Sequence, residues 1–490
     1  MNIALVHYHF RRGGVTRVVE NAAASLPDDI QLLALSGDPE HSAAGLPNVH
    51  IEGLGYRKRG EPGPSGEALA HSLLEAAEAH FGSAPDLWHI HNHSLGKNHV
   101  FVETLQTLAS NGQQLLLQPH DFAEDGRPAN YANIDQREHL YPIGPPIRYA
   151  FINGRDRHRL VAAGLPEDSA HLIGNPVAFN ASLPETPPPG EAKLIVYPTR
   201  GIRRKNLGEL LLLSALAPPG YHFVTTLGPD NSDWQPLHDE WIAFAREQQL
   251  PVTFAVANRL SPQDLGGPAA SGTDFLTWLA CAHRIVTTSI AEGFGLAYLE
   301  PALVGKALLG RDLPEITQDF TTNGYQLPQT YQKLWAPSLW VDENDLTQTL
   351  NQRLSSTYQA YGQKLTTQAY SQTLQSLYQG GHLDFGRLEE PHQRQLIVQA
   401  RQHAADFLVE TSTGREPLQD WLAQALTAKT DLHQNRQVVE THYSLKAYGQ
   451  KLATLYRISP TKIASSALNP TQVLAQFLKP ESYQPLLGTG

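Results

Sequence analysis

The chain reads as an α/β protein built from two Rossmann-like domains, with an additional C-terminal helical segment. Three observations carry this. Short apolar runs alternate with amphipathic stretches in two successive series, a proline cluster separates the series, and the texture turns Gln- and Tyr-rich beyond about residue 330. The first series places strands at residues 3–6, 30–35, 87–90, 114–117 and 150–153, with helical patterns at 15–24 and 66–79 between them. Near-continuous apolar strands alternating with helices indicate a parallel sheet covered on both faces. The segment Pro184-Glu-Thr-Pro-Pro-Pro-Gly190 is the densest proline cluster and reads as an interdomain linker. The second series has strands at 194–197, 223–227, 252–256, 284–288 and 307–309. Residues 391–410 and 417–427 read as amphipathic helices. The hexapeptide Ala360-Tyr-Gly-Gln-Lys-Leu365 recurs as Ala447-Tyr-Gly-Gln-Lys-Leu452, each copy in a helical context, as composition bias or as duplication. The expected domains are 1–183, a linker at 184–192, 193–380, and a helical extension at 381–490 that serves packing and oligomer contacts.

A length of 490 residues exceeds one ordinary core, and 41% hydrophobic residues support two. The net charge of -11, from 37 basic and 48 acidic residues, argues against nucleic-acid binding, whose affinity rests on neutralising phosphates. Cys281 is the single cysteine, so an internal disulfide or multi-thiolate metal site is excluded and a reducing cytoplasm fits. Residues 1–6 form a first strand and not a signal peptide, and no run approaches the roughly 20 apolar residues that span a bilayer. The expectation is a soluble cytoplasmic protein.

Chemistry concentrates at strand ends. The strand at 284–288 leads into Glu292-Gly293-Phe294-Gly295-Leu296, a turn opening a helix that carries Glu300 eight residues after Glu292. Such a strand-to-helix turn presents backbone N–H groups where the helix dipole favours an anion. Two carboxylates so spaced suit a bipartite ligand with a sugar on one side of a diphosphate and a ribose on the other; a dipole partner plus a solvated surface residue also fits. After the first strand of the second series comes Tyr197-Pro-Thr-Arg200-Gly-Ile-Arg203-Arg204-Lys205, a basic cluster at a helix start that is unfavourable unless an anion is expected there; a solvated cluster is the alternative. Gly13 and Gly14 follow strand one, where paired glycines let a backbone approach a phosphate. His89, His91 and His93 alternate at a strand end, as do His7 and His9, and with His120 they are expected at one sheet edge as hydrogen-bonding groups, a metal site being the weaker reading. Asp121, Glu124, Asp125, Gly126 and Arg127 form a polar loop suited to an acceptor or to solvent, and Tyr56-Arg-Lys-Arg59 is a basic turn able to touch an anionic acceptor or a membrane surface.

In order, Gly13-Gly14-Val15, Gln118-Pro-His120-Asp121, Gly174-Asn175-Pro-Val177, Arg200 with Lys205, and Glu292-Gly-Phe-Gly-Leu through Glu300 resemble the GT-B retaining glycosyltransferases of family 4, over about the first 320 residues. The resemblance implies two Rossmann-like domains facing a cleft, a UDP-, GDP- or ADP-sugar donor, a hydroxylated acceptor, and transfer with retention and no metal or other cofactor. Carried across, Gly14 offers its N–H to the diphosphate, and Arg200 and Lys205 bind it. Glu292 holds sugar hydroxyls, the amides of Gly293, Phe294, Gly295 and Leu296 cap phosphate and sugar, Glu300 holds the ribose, and His120 faces the transferred sugar. On the acceptor side, His91, His93, Asp121 and Arg127 are the candidates, and the low overall basicity favours a small soluble acceptor. Two departures stand out: Asn175-Pro-Val-Ala178 lacks the family's acidic residue, and Pro301 interrupts the helix bearing Glu300. The resemblance also implies a last helix around 443–457 that returns to the first domain. A sugar-nucleotide epimerase or hydrolase, or a non-catalytic sugar-nucleotide sensor, is the competing reading.

Overall fold

From Ile3 onward every side chain of β1 (Asn2–His7) is buried, as a central parallel strand covered on both faces requires. In the computed structural model, which describes residues 1–178, 184–185, 187–460 and 463–487, β1 is flanked by β2 (Gln31–Ser36), itself bordered by β3 (Asn48–His50), and by β4 (Leu87–His91). Beyond β4 lie β5 (Leu115–Gln118) and, past the outlying β6 (Pro142–Ile143), β7 (Ile147–Phe151) and β8 (Ala170–Leu172). The seven-stranded order is β3-β2-β1-β4-β5-β7-β8, parallel throughout. Thr186 of the proline cluster lies outside the described residues.

Alternate residues of β1 feed two core layers. Ala4 and Val6 join Leu69, Leu73, Trp88, Phe101 and Leu105 on one face. Ile3 and Leu5 join Val18, Val19 and Leu116 on the other, together with Tyr448, Leu452 and Tyr456 from the helix Leu445–Tyr456. That helix lies against Gly14–Ser25 so closely that a Cβ on Gly449 would stand 2.1 Å from the Ser25 carbonyl oxygen.

The second parallel sheet comprises β9 (Lys193–Arg200), β10 (Tyr221–Leu227), β11 (Val252–Thr253), β12 (Arg284–Thr287), β13 (Leu308–Arg311) and β14 (Thr330–Tyr331), in the order β11-β10-β9-β12-β13-β14. β11 is shorter than its apolar run because Ala255 turns to φ +51° and donates its N–H to Thr225 Oγ1 at 3.0 Å.

The stretch beyond 330 is not only helical. It contributes an antiparallel sheet of β15 (Lys333–Pro337), β16 (Tyr378–Gln379), β17 (His382–Asp384), β18 (Leu408–Thr411) and β19 (Gly414–Pro417), ordered β16-β17-β15-β18-β19. The helix expected over 391–410 is Glu390–Ala400; past it the burial period falls to two, with Phe407 and Val409 inward, and the chain enters the β18–β19 hairpin. Leu334, Phe385, Val409 and Leu422 share one core with Ile195, Leu211, Phe223 and Val286 of the second parallel unit. A final strand, β20 (Ser466–Ala467), pairs antiparallel with β6.

The repeated hexapeptide takes two conformations. Residues 447–452 lie within a helix, whereas Ala360 ends Glu343–Ala360 and Gly362 turns left-handed at φ +70°. The two copies are not equivalent structural units. By contact the chain forms two compact units: the first takes Met1–Val177, Thr357–Gln363 and Glu440–Lys479, and the second takes Ala178–Ser356, Lys364–Val439 and the stretch from Pro480 onward. Residues 381–490 are thus divided between the two.

Gly449→Ala pushes two helix backbones apart, and overpacking of this kind costs about 1–3 kcal/mol. The expected outcome is a lower midpoint in thermal or urea unfolding; an unchanged midpoint contradicts the close helix contact.

Candidate active site

Two constellations stand at strand ends, one in each unit. In the second unit, β9 ends at Arg200, a single 3-10 turn covers Arg203–Lys205, and Asn206, left-handed at φ +47°, starts the helix Leu207–Leu216. β12 runs into the Glu292 turn beside it. Polar bonds join the two loops: Ile290 N–H donates to the Arg204 carbonyl at 3.0 Å, Thr288 Oγ1 to the Lys205 carbonyl at 2.9 Å, and Tyr197 OH to the same carbonyl at 3.2 Å.

The side chains converge there as well. Lys205 Nζ pairs with Glu292 Oε1. Arg204, which the sequence displayed only as one of a basic run, places Nη1 at 3.3 Å from Glu292 Oε2 and 2.8 Å from the Ala291 carbonyl. Burial pushes the Glu292 carboxyl up, but Lys205 and Arg204 outweigh it and hold the group below the ordinary glutamate range. Burial lowers the Lys205 ammonium, and Glu292 opposes that. Glu300 joins the same electrostatic group: burial, then the Glu292 charge, raises it to about 7, with Lys205 acting the other way.

Arg200 stands apart from this pair and bridges Asp230 at 2.6 Å, both more than half exposed. Arg203 is turned away to form a bidentate, largely buried pair with Glu390 at 2.6 and 2.9 Å. Gln393 Nε2 donates to Asn206 Oδ1 at 2.9 Å. Two residues of the helix Glu390–Ala400 therefore hold the basic turn, a positioning role that 187 residues of sequence separation hide.

Gly295 caps the helix Leu296–Leu303 at φ +96°, and a Cβ there would meet Ile316 at 2.9 Å and Phe320 at 3.2 Å. Phe294 is buried against Phe320, whereas Gly293 and Leu296 are exposed. Pro301 lies inside this eight-residue helix, which stops two residues later.

In the first unit, Gly14 is exposed at the first turn of Gly14–Ser25, and a Cβ there would meet nothing within 4 Å. His120 follows β5. Its N–H and that of Asp121 donate to Asn92 Oδ1 at 2.8 and 2.9 Å, so Asn92 orients this turn. His91 Nδ1 lies 3.0 Å from His120 Nε2. His89 donates from Nε2 to Gln118 Oε1 and accepts at Nδ1 from Tyr456 OH, both at 2.8 Å. The expected alternation stops at His91, because Asn92 is left-handed at φ +59° and swings His93 away. His93 is 2% exposed and packs against Tyr141 and Tyr149. Burial, above all, lowers His7, His93 and His120 to about 3 and His89 to about 4, and it holds His91 well below the ordinary histidine range, so these rings are neutral near pH 7.

In the polar loop, Asp121 Oδ1 accepts from Arg127 Nη2 at 2.7 Å. Glu124 faces inward, not toward solvent: it is 1% exposed, accepts from Tyr141 OH at 2.9 Å, and is raised by burial to about 7. Among the described residues, Asp38, Glu40 and His41 bring three possible metal-ligand atoms together, and Asp38 is already engaged by Arg11 at 2.7 Å. The imidazole cluster forms no such group.

With this geometry in view, solved structures identify the architecture. The lipopolysaccharide outer core galactosyltransferase WaaB aligns with a TM-score of 0.51 at 11% identity, covering 94% of this chain and all (100%) of that one. Anabaena HepE, in complex with UDP and glucose, aligns with a TM-score of 0.51 at 12% identity and the same coverage. The fold is GT-B. A glycosyltransferase from Rickettsia africae ESF-5 gives a TM-score of 0.51 at 13% identity, covering 93% of this chain and 97% of that one. In sequence, the mannosylglucosyl-3-phosphoglycerate synthase of Petrotoga mobilis is 30% identical over 352 residues, which is 65% of this chain and 66%, just under two thirds, of that protein. No protein-family model matches the chain. Among the described residues of this GT-B chain, no helix is long and apolar enough to cross a membrane.

Glu300 gives the site a pH signature. A folded carboxyl that keeps its proton to about 7, against an ordinary 4.5, contributes stability that is fully present below the ordinary range and lost as pH rises toward 7. Replacing Glu300 by Gln is expected to make the slope of melting temperature against pH between about pH 5 and pH 7 more positive than in the wild-type protein, the buried histidines being common to both; an unaltered slope would place the titration elsewhere.

Proposed function

We propose that this protein is a retaining glycosyltransferase of family 4 type, moving a sugar from a nucleoside diphosphate donor to a hydroxyl of a small soluble acceptor without a metal ion. The observation that carries the reading is the Lys205–Glu292 pair at adjacent strand ends, beside the Gly295 turn that opens a helix. The 30% identity to a curated glycoside synthase, and a fold shared with a structure holding UDP and glucose, support it. The Petrotoga protein's name, which contains 3-phosphoglycerate, supports a small acceptor.

In this reading Arg200, Lys205 and the N–H groups at the start of Leu296–Leu303 balance the charge that grows on the departing diphosphate. Preorganised cations and dipoles supply what a divalent metal supplies elsewhere. Glu292, kept ionised, accepts from hydroxyls of the transferred sugar, and Glu300 accepts from the ribose. His120, neutral and held by Asn92 and His91, is a hydrogen-bonding group of the first unit that adds no charge. The acceptor oxygen attacks the anomeric carbon from the leaving-group face, the carbon–oxygen bond to phosphate breaks with its electron pair going to phosphate, and a phosphate oxygen takes the acceptor proton.

Lys205→Ala is expected to lower turnover by about 10²-fold or more, the scale of losing one preorganised electrostatic contact. The assay is nucleoside diphosphate release with UDP-, GDP- or ADP-glucose, the donor first chosen by thermal shift. Release that depends on added acceptor supports transfer; acceptor-independent conversion indicates a hydrolase or epimerase instead. Near-normal turnover in the Lys205 variant sinks the site assignment.

A further inference from the structure

We propose that Tyr361 is a positioning residue for the acceptor, clamping the loop at 120–127 so that its Asp121–Arg127 pair meets a hydroxylated acceptor as a preset partner. The proposal rests on the transfer reading above.

Tyr361 belongs to the first copy of the repeated hexapeptide and lies in the Thr357–Gln363 stretch of the first unit. Its place is fixed by the way the helix Glu343–Ala360 stops. Gly362, left-handed at φ +70°, donates its N–H to the Gln359 carbonyl at 2.9 Å, and Gln363 N–H donates to the Tyr358 carbonyl at 2.8 Å, so Tyr361 is held as the residue that caps the helix. Its side chain is buried, with the ring edge-on to Tyr131 at 5.4 Å. The hydroxyl donates to the Ala123 carbonyl at 3.0 Å and accepts from Arg127 N–H at 2.7 Å. Burial raises this hydroxyl above the ordinary tyrosine range, so it keeps the proton it donates. In the second copy Tyr448 is buried within a helix, and its hydroxyl has no hydrogen-bond partner among the described residues. Only the copy that ends a helix therefore carries the clamp.

The loop is pinned from one end to the other. Asn92 holds the backbone of His120 and Asp121, Ser94 Oγ donates to the Asp121 carbonyl at 3.1 Å, and Ala123 N–H donates to the Ser94 carbonyl at 3.0 Å. Tyr361 holds the far end at Ala123 and Arg127. Phe122, Ala123 and Glu124 are buried, whereas the side chains of Asp121 and Arg127 are 43% and 37% exposed. An ion pair so open to solvent adds little to stability. Anchoring it this thoroughly serves a contact, because a preorganised pair loses less freedom when a ligand arrives. A guanidinium has five N–H donors. Arg127 Nη1 serves the carbonyls of Phe122 and Asp125 at 3.1 and 3.0 Å, and Nη2 serves Asp121 Oδ1 at 2.7 Å, which leaves Nε–H and the second Nη2–H. Asp121 Oδ2 likewise has no hydrogen bond among the described residues. A carboxylate oxygen beside two donors complements neighbouring hydroxyls, each of which both donates and accepts. The pair thus keeps its chemistry without the Tyr361 oxygen and loses its fixed position.

The test is steady-state transfer by the full-length protein, with the nucleotide sugar chosen by thermal shift as donor and glycerol, glucose and 3-phosphoglycerate as acceptor probes, alongside amide hydrogen exchange over residues 120–131. Tyr361→Phe removes one oxygen and keeps the ring against Tyr131. It is expected to raise the KM of the fastest acceptor probe about five- to tenfold, the scale of one net hydrogen bond, while donor KM and kcat stay within about twofold of wild type. Exchange should quicken at residues 123–127 and nowhere else. Tyr448→Phe, in the second copy, should match wild type in every measurement. Asp121→Asn should also raise the acceptor KM, and adding Tyr361→Phe to it should cost less than in the wild-type background, since both act through one pair. An unchanged acceptor KM in Tyr361→Phe, an equal rise in donor KM, or full additivity with Asp121→Asn overturns the positioning role. Nucleoside diphosphate release by the wild-type protein that ignores every acceptor overturns the transfer reading instead, and hydrogen exchange, which needs no acceptor, then still decides whether Tyr361 holds the loop.

Discussion

The basic turn of the second unit depends on a buried ion pair that touches no candidate ligand. Glu209 is fully buried in a helix otherwise made of leucine and small residues, a placement that costs several kcal/mol unless the charge is matched. Arg311 matches it, approaching through Nη2 at 2.8 Å and Nε at 3.1 Å, while Tyr331 donates to the same carboxylate. Asn206 donates to Glu209 at 2.7 Å. Because Asn206 is also the left-handed residue that ends the Arg203–Lys205 turn, the buried carboxylate fixes where that turn stops and so where Lys205 points. Gln393 and Glu390 close the frame from the tail.

Much of this was legible in sequence, for physical reasons that also mark the limits. Parallel strands buried on both faces print as unbroken apolar runs, so ten of them could be read directly. The antiparallel sheet beyond residue 330 could not: its strands are two to five residues long and carry Lys333, Glu410 and Arg415 among their apolar positions. Local sequence likewise put Lys205 and Glu292 each in a loop after a recognisable strand, whereas their adjacency comes from the pairing of β9 with β12. It was silent on the division of labour inside the Arg203-Arg204-Lys205 run, which is decided by Glu390 claiming Arg203 from far along the chain.

The histidines teach a related lesson about backbone conformation. Alternation predicts one shared face only while the chain stays extended, and a single left-handed residue, Asn92, ends it. The same residue then uses its side chain to hold the backbone of His120 and Asp121. One asparagine thereby separates the structural imidazole of His93 from the pair His91 and His120. Neutral rings suit that pair, because a charged imidazole in so dry a setting would need a carboxylate partner.

The chain passes from one unit to the other five times, at 177/178, 356/357, 363/364, 439/440 and 479/480. Neither unit is therefore encoded by a continuous stretch of gene. A single recombination event cannot exchange one half for another and leave both cores whole, since any such cut strands the helix Leu445–Tyr456 or the five-stranded sheet away from its partners.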